Sequence, residues 1–206
     1  MHPEATITRA EVATIFFRLL DDEMRSDNIT KINYFSDVAA DDWFNTAVST
    51  LSKLQILTGY PDGSFGPNDP ITRAEFAAIA ARFDTHTANS TAGFSDIQGH
   101  WALAEINKAA ENGWVNGYPD NTFRPDNNIT RAEAMAMINR VLNRDPATPN
   151  DLLDDMIKWP DNMDTNQWYY LDIQEATNSH YYERKSSGTE YWTQIIEAPN
   201  WLALEQ

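Results

Sequence analysis

The same five residues stand three times in this chain: Ile7-Thr8-Arg9-Ala10-Glu11, Ile71-Thr72-Arg73-Ala74-Glu75 and Ile129-Thr130-Arg131-Ala132-Glu133. A proline precedes each isoleucine by four positions, at Pro3, Pro67 and Pro125. Repetition on this scale means supersecondary units that cannot bury their apolar faces alone, so it constrains the fold more than any local propensity does. The second and third copies share a longer lead-in. Gly59-Tyr60-Pro61-Asp62-Gly63-Ser64-Phe65 matches Gly117-Tyr118-Pro119-Asp120-Asn121-Thr122-Phe123, and upstream Phe35-Ser36-Asp37-Val38 matches Phe94-Ser95-Asp96-Ile97, followed by Trp43 and Trp101. Thr72 and Thr130 are 58 residues apart, whereas Thr8 and Thr72 are 64 apart. The extra length falls in Asp21 to Lys31, a polar stretch with no apolar period. A third version of the front half comes late: Trp159-Pro160-Asp161, then Trp168-Tyr169-Tyr170 and Ile173.

The repeats are therefore permuted: a back half with linker (1–31), two whole units (32–92 and 93–150), and a front half with a tail (151–206). The simplest closed arrangement lets the first and last halves complete each other, giving three pseudo-equivalent units. Opening inside a half-repeat reads as a segment of a longer chain.

Each phrase starts a helix. Thr8, Thr72 and Thr130 sit at the N-cap, and Glu11, Glu75 and Glu133 fall three residues on, as a capping box requires. The following helices carry one apolar stripe at equivalent positions: Val12, Ile15, Phe16, Leu19; Phe76, Ile79, Ala80, Phe83; Ala134, Met137, Ile138, Val141. The front halves also read as helical, from Trp43, Trp101 and Trp168 onward. Between the two lies a turn-rich loop in which Asn121 stands where the other copy has Gly63, since asparagine best tolerates the left-handed backbone glycine supplies. The expected fold is mainly all-α: three helix–loop–helix units around a central three-helix bundle. Polar linkers are expected at 84–92 and 145–151, and the tail from Gly188, apolar in patches, is expected to pack outside as a short helix.

The chain has 206 residues and 42% hydrophobic content, enough for a core. It has no apolar run long enough for a membrane span. Its net charge of −16 argues against nucleic acid, which needs a basic stripe. It contains no cysteine, so neither disulfides nor thiolate chemistry arise. No nucleophile elbow, phosphate loop or metal spacing among His2, His86, His100 and His180 is present. Neither catalytic residues, a metal site nor a cofactor are expected. A negative chain that binds an anion must do so with local cations against its own field.

That directs attention to Arg9, Arg73 and Arg131, each at the first helical position. A cation beside the positive end of a helix is unfavourable for the helix, so its recurrence admits two readings. One is a carboxylate or phosphate site made with the free N–H groups. The other is structural pairing or capping with Glu11, Glu75 and Glu133. Arg18, Arg82 and Arg140 follow nine positions later, half a turn round, and read as solvated or inter-helix pairing residues. Trp43, Trp101 and Trp168 divide between core or groove wall and sugar stacking.

The combination of Phe-Ser-Asp-Val, the tryptophan after it, Gly-Tyr-Pro-Asp-Gly-x-Phe and Ile-Thr-Arg-Ala-Glu resembles an array of S-layer homology modules, over residues 3 to about 180. The resemblance implies an extracellular cell-wall anchor. It also implies grooves between adjacent units that take a pyruvylated secondary cell-wall polysaccharide attached to peptidoglycan, with Arg9, Arg73 and Arg131 meeting the pyruvyl carboxylate. It extends to Asp37, Asp96 and Asp161, to Trp43, Trp101 and Trp168, and to Gly59, Tyr60, Gly117 and Tyr118. Two departures stand out: Trp159-Pro160-Asp161 replaces Phe-Ser-Asp, and the first copy lacks a Gly-Tyr-Pro loop. The alternatives are an assembly module that binds other surface-layer copies, a calcium role for the acidic loop Asp62–Asp69, and a glycosidase carboxylate pair.

Overall fold

The computed structural model describes residues 1–83 and 91–204. It is mainly helical. The three back helices are α1 (Arg9–Leu19), α4 (Arg73–Arg82) and α6 (Arg131–Val141), and the front helices are α3 (Asn45–Lys53), α5 (Leu103–Glu111) and α7 (Tyr170–Thr177). Each back helix packs against the front helix that follows it in sequence: α1 on α3, α4 on α5, α6 on α7. All three capping boxes form. The threonine side chain accepts the N3 N–H, and the N3 glutamate accepts the threonine N–H at 2.9, 2.9 and 2.8 Å.

The three units close into a ring through the residues just ahead of the helices. Ile7 N–H donates to the Ile129 carbonyl (3.3 Å), Ile129 N–H to Ile71 (3.1 Å) and Ile71 N–H to Ile7 (3.1 Å). The repeated proline finds its purpose here. The second N–H of each helix, on Ala10, Ala74 and Ala132, donates to the carbonyl of Pro67, Pro125 and Pro3 of the next unit. The first N–H, on Arg9, Arg73 and Arg131, donates to Asp69, Asn127 and Ala5. Groups that a helix start leaves orphaned are thus satisfied across the unit boundary. Ile7, Ile71 and Ile129 are fully buried at this junction, and Phe16 meets Phe76 with ring centroids 5.4 Å apart.

The half-units do complete each other. Asp37 accepts the N–H groups of Phe65 and Gly66 at 2.7 and 2.8 Å, and Asp96 those of Phe123 and Arg124 at 2.8 and 2.7 Å. In the split unit Asp161 does the same with the other end of the chain, accepting from Met1 N at 3.0 Å and His2 N–H at 2.6 Å.

Three local expectations need correction. The polar stretch after α1 contains a short helix, α2 (Asp22–Asn28), because Asp21 caps it by accepting from Met24 N–H. A hairpin runs into the first part of the expected tail: β1 (His180–Arg184) pairs antiparallel with β2 (Glu190–Ile195) around a turn with Gly188 at φ 93°. It docks through Trp192 on Leu152 and Tyr170. Only Trp201–Leu204, α8, is helical in the described tail. The expected linker at 145–151 is pinned by a 3-10 turn at Pro149–Asp151 and by Glu190 N–H donating to the Asp145 carbonyl, while residues 84–90 of the other linker lie outside the described residues.

Candidate functional site

Arg9 and Arg73 are both 5% exposed. The Arg9 Nε–H donates to the Phe65 carbonyl (2.8 Å), Nη2 donates to Thr58 (3.0 Å), and Nη1 pairs with Glu75. Arg73 repeats this with Phe123 (2.9 Å), Asn116 (3.0 Å) and Glu133 (3.7 Å). The rings of Tyr60 and Phe65 lie 4.6 and 4.9 Å from the Arg9 guanidinium carbon, and those of Tyr118 and Phe123 lie 5.0 and 4.8 Å from that of Arg73. Each arginine thus pairs with the capping-box glutamate of the next helix, not its own, and Arg131 closes the circle on Glu11 at 2.5 Å. One glutamate oxygen caps its own helix while the other holds the neighbour's arginine. Burial pulls the Arg73 pKa down from its ordinary value. It pushes the Tyr60 phenol up.

Two grooves result. The first, about 520 Å³, is lined by Arg9, Gly59, Tyr60, Glu75, Ile79, Arg82, Trp101 and Asp126, among others. The second, about 150 Å³, has Arg73, Gly117, Tyr118, Glu133, Arg140 and Trp168. Each groove therefore draws on three successive units: the arginine of one helix, the Gly-Tyr loop and helix face of the next, and the tryptophan of the third. Trp43, Trp101 and Trp168 are 62, 60 and 59% exposed, so they are surface indoles and not core.

Gly59 and Gly117 have a packing reason. A Cβ at Gly59 would collide with the Phe35 ring and the Ser64 carbonyl, and one at Gly117 with the Phe94 ring and the Thr122 carbonyl. Asn121 does take the left-handed conformation, at φ 62°, as Gly63 does at 86°. Asp37, Asp96 and Asp161 sit behind the loops and spend their oxygens on backbone N–H groups, outside both groove linings.

The third position differs. The Arg131 side chain is 24% exposed, its Nε is buried with no acceptor among the described residues, and no Gly-Tyr loop covers it. After α7 the chain enters the hairpin instead. The guanidinium of Arg18, the counterpart of Arg82 and Arg140, lies over Trp201 at 5.3 Å.

Arg82 and Arg140 line the same grooves as Arg9 and Arg73 of the preceding back helix, each facing away from the first arginine of its own helix as the half-turn spacing predicts, and Arg140 is exposed. The half-turn argument holds along one helix, but a groove is built from two. Glu75, Ala78, Ile79 and Arg82 form an i, i+3, i+4, i+7 stripe facing the arginine of the preceding helix. That stripe was the available signal. The structure also gathers His180 with Glu175 and Glu190, residues whose sequence spacing gives no hint of it. Arg144 Nη2 sits among them, 2.9 Å from Glu175, 3.0 Å from Glu190 and 2.6 Å from the imidazole Nε2, and joins the hairpin to α7. Among the described residues, no helix is long and apolar enough to cross a membrane.

A family model described as "S-layer homology domain" matches residues 34–77 and 93–135. The chain is 36% identical over 201 residues, 95% of its length, to a "Cellulosome-anchoring protein" of Acetivibrio thermocellus, of which it covers 44%. It is 36% identical over 192 residues, 87% of its length, to "Cell surface glycoprotein 1" of the same organism, of which it covers 8%. To an "Amylopullulanase" of Thermoanaerobacterium thermosulfurigenes it is 39% identical over 154 residues, 69% of its length and 8% of the relative. The chain thus spans under half the length of these curated relatives. The ring of Ile-Thr-Arg-Ala-Glu helices, the Gly-Tyr loops between them and these matches together make the chain a member of the S-layer homology family, an array of its repeated units.

Proposed function

We propose that this chain anchors the polypeptide that carries it by binding an acidic secondary cell-wall polysaccharide, pyruvylated on its sugar, in the two grooves. As an S-layer homology array it is a cell-surface, cell-wall anchoring module; the glycan and the grooves are our reading. The observation that carries it is a convergence made twice. A buried arginine, a tyrosine on its face and an exposed indole meet in one cleft, as Arg9, Tyr60 and Trp101, and again as Arg73, Tyr118 and Trp168. Of the five N–H groups of Arg9, three are used by Phe65, Thr58 and Glu75. Two remain for a ligand carboxylate, which suits a bidentate contact. An indole offers an apolar face to a sugar ring and one N–H to a hydroxyl. Two modest sites on one polymer gain through effective concentration.

Relatives named as enzymes match this chain over a small share of their length, so the activity their names denote is said of them, and a non-catalytic role is the reading here. Co-sedimentation with purified wall sacculi tests the proposal. The chain should pellet with intact sacculi and stay in solution when the secondary polysaccharide has been stripped. Pelleting with both would point to peptidoglycan. Pelleting with neither, together with a size that grows with concentration, would favour an assembly module.

A further inference from the structure

The arginine at the start of each helix does not by itself make its groove attractive to an anion. Glu75 is paired with Arg9 and Glu133 lies 3.7 Å from Arg73, so each of these pairs sums to zero charge. The chain as a whole carries −16. In the first groove Asp126 adds a further carboxylate, held at 3.2 Å by His100. A ligand carboxylate entering this cleft meets Arg9 with its compensating glutamate alongside, plus Asp126 on the rim. Offsetting that repulsion needs another cation.

The far end of the helix stripe supplies one. Arg82 donates from Nη1 to the Ile56 carbonyl at 3.0 Å, while Arg9 donates to the carbonyl of Thr58, two residues along the same segment. The carbonyls of Ile56 and Thr58 thus hold two guanidinium groups in a single groove. Among the described residues Arg82 has no carboxylate within ion-pair distance. In the second groove Arg140 takes the same place. It is exposed and has no carboxylate within ion-pair distance among the described residues, though its charge reaches the Asp172 carboxyl on α7. Counting Arg9, Arg82, Glu75 and Asp126, the first groove is neutral with Arg82 and negative without it. Counting Arg73, Arg140 and Glu133, the second is positive with Arg140 and neutral without it.

We propose that Arg82, and Arg140 in the second groove, are the residues that select a carboxylate-bearing glycan over a neutral one, the helix-start arginines serving as the fixed floor against which that carboxylate is held. This rests on the groove-binding reading above. The two grooves should also differ: the second, positive and narrow, discriminates more by charge, and the first, neutral and wide, more by its aromatic wall.

The test uses the whole chain, with the indole N–H signals of Trp101 and Trp168 as separate reporters of the two grooves. The probes are a pyruvylated fragment of wall polysaccharide and the same fragment after mild acid has removed the pyruvate. In the parent chain both indoles titrate with the acidic fragment. In Arg82→Gln the Trp101 signal should need about tenfold or more fragment, as expected for a lost charge-assisted contact, while Trp168 titrates as before and reports an intact fold. Arg140→Gln should do the reverse, and Arg82→Lys should restore most of the Trp101 response. Affinity for the pyruvate-free fragment should be unchanged by either glutamine variant. If the parent indoles respond and Arg82→Gln and Arg140→Gln titrate like the parent at low salt, the inference is overturned and Arg9 and Arg73 alone read the anion. If the parent indoles respond to neither fragment, the groove-binding reading itself fails.

Discussion

Arg9 and Arg131 occupy one position of one repeat, so replacing each by alanine is a controlled comparison in which only the surroundings differ. Removing Arg9 strands the buried Phe65 carbonyl, worth about 1–3 kcal/mol if nothing replaces the donor. Thr58 is exposed, so water takes over at its carbonyl and little is lost there. Glu75, 16% exposed, loses its cation, and breaking a well-buried pair by removing one partner costs about 3–5 kcal/mol. Contact with the Tyr60 and Phe65 rings adds about 0.5–2 kcal/mol. These terms overlap, and a total of about 4 kcal/mol is expected. At about 2–4 °C per kcal/mol for a chain of this size, Arg9→Ala should lower Tm by roughly 8–16 °C. Arg131 offers much less. Among the described residues its Nε lacks an acceptor, and its ion pair with Glu11 joins side chains 24% and 31% exposed. Pairs that open to water contribute about 0.2–1 kcal/mol, so Arg131→Ala should cost under about 1 kcal/mol. Urea titration of the two variants and the parent, with equal m-values as the check on a common unfolded state, measures the difference. An Arg131→Ala variant destabilised as much as Arg9→Ala would refute the claim that protein acceptors, and not the sequence position, set the structural role of this arginine.

Further outcomes follow from the same geometry. Gly59→Ala should cost about 2 kcal/mol or more, because its Cβ meets a backbone carbonyl that cannot give way; Gly63→Asn should stay within about 0.5 kcal/mol, since Asn121 already holds that conformation, and chemical denaturation of the pair separates the two. Thr72→Ala should lose about 1 kcal/mol by removing a cap, read as a shift in the urea midpoint. Hydrogen bonds from the Thr122 hydroxyl, then from Arg124 and the Thr122 N–H, hold the Asp120 carboxyl down to about 2. A lowered carboxylate pKa stabilises the fold above the ordinary value of 3.8 and loses that contribution as pH falls toward about 2. The Asp120 side-chain carbon should therefore titrate near the lower value by NMR, and Asp120→Asn should flatten the acid limb of the stability curve in that window.

The fold was legible because the repeat carried it. Equal phrases at Thr8, Thr72 and Thr130 implied equal caps and equal helices, and the permuted halves implied closure. Asp161 meeting the N–H groups at residues 1 and 2 is that closure in atomic terms. Asn121 was readable for the same reason, as a substitution within a known slot. The hairpin at His180–Ile195 was not, because it has no counterpart in the other units against which to compare it, and only its second strand falls in the segment from Gly188 that reads as tail. The site was half legible. The structural reading of the helix-start arginine is realised, since the glutamates do pair with it, though across the ring and not within one helix; the anion-binding reading is the one proposed above. Arg82 and Arg140 escaped because periodicity on a single helix says nothing about which neighbour faces it. The aspartates of the Phe-Ser-Asp phrase also hold loop backbone, a role that depends on contacts about 28 residues away in sequence.

The central claim is that an acidic glycan is held in the grooves, and calorimetric titration of the chain with pyruvylated wall-polysaccharide fragments addresses it most directly. The account predicts saturable binding that weakens as salt rises and falls at least tenfold when mild acid has removed the pyruvate. Equal binding of both fragments, or of neither by a chain shown to be folded, would contradict it.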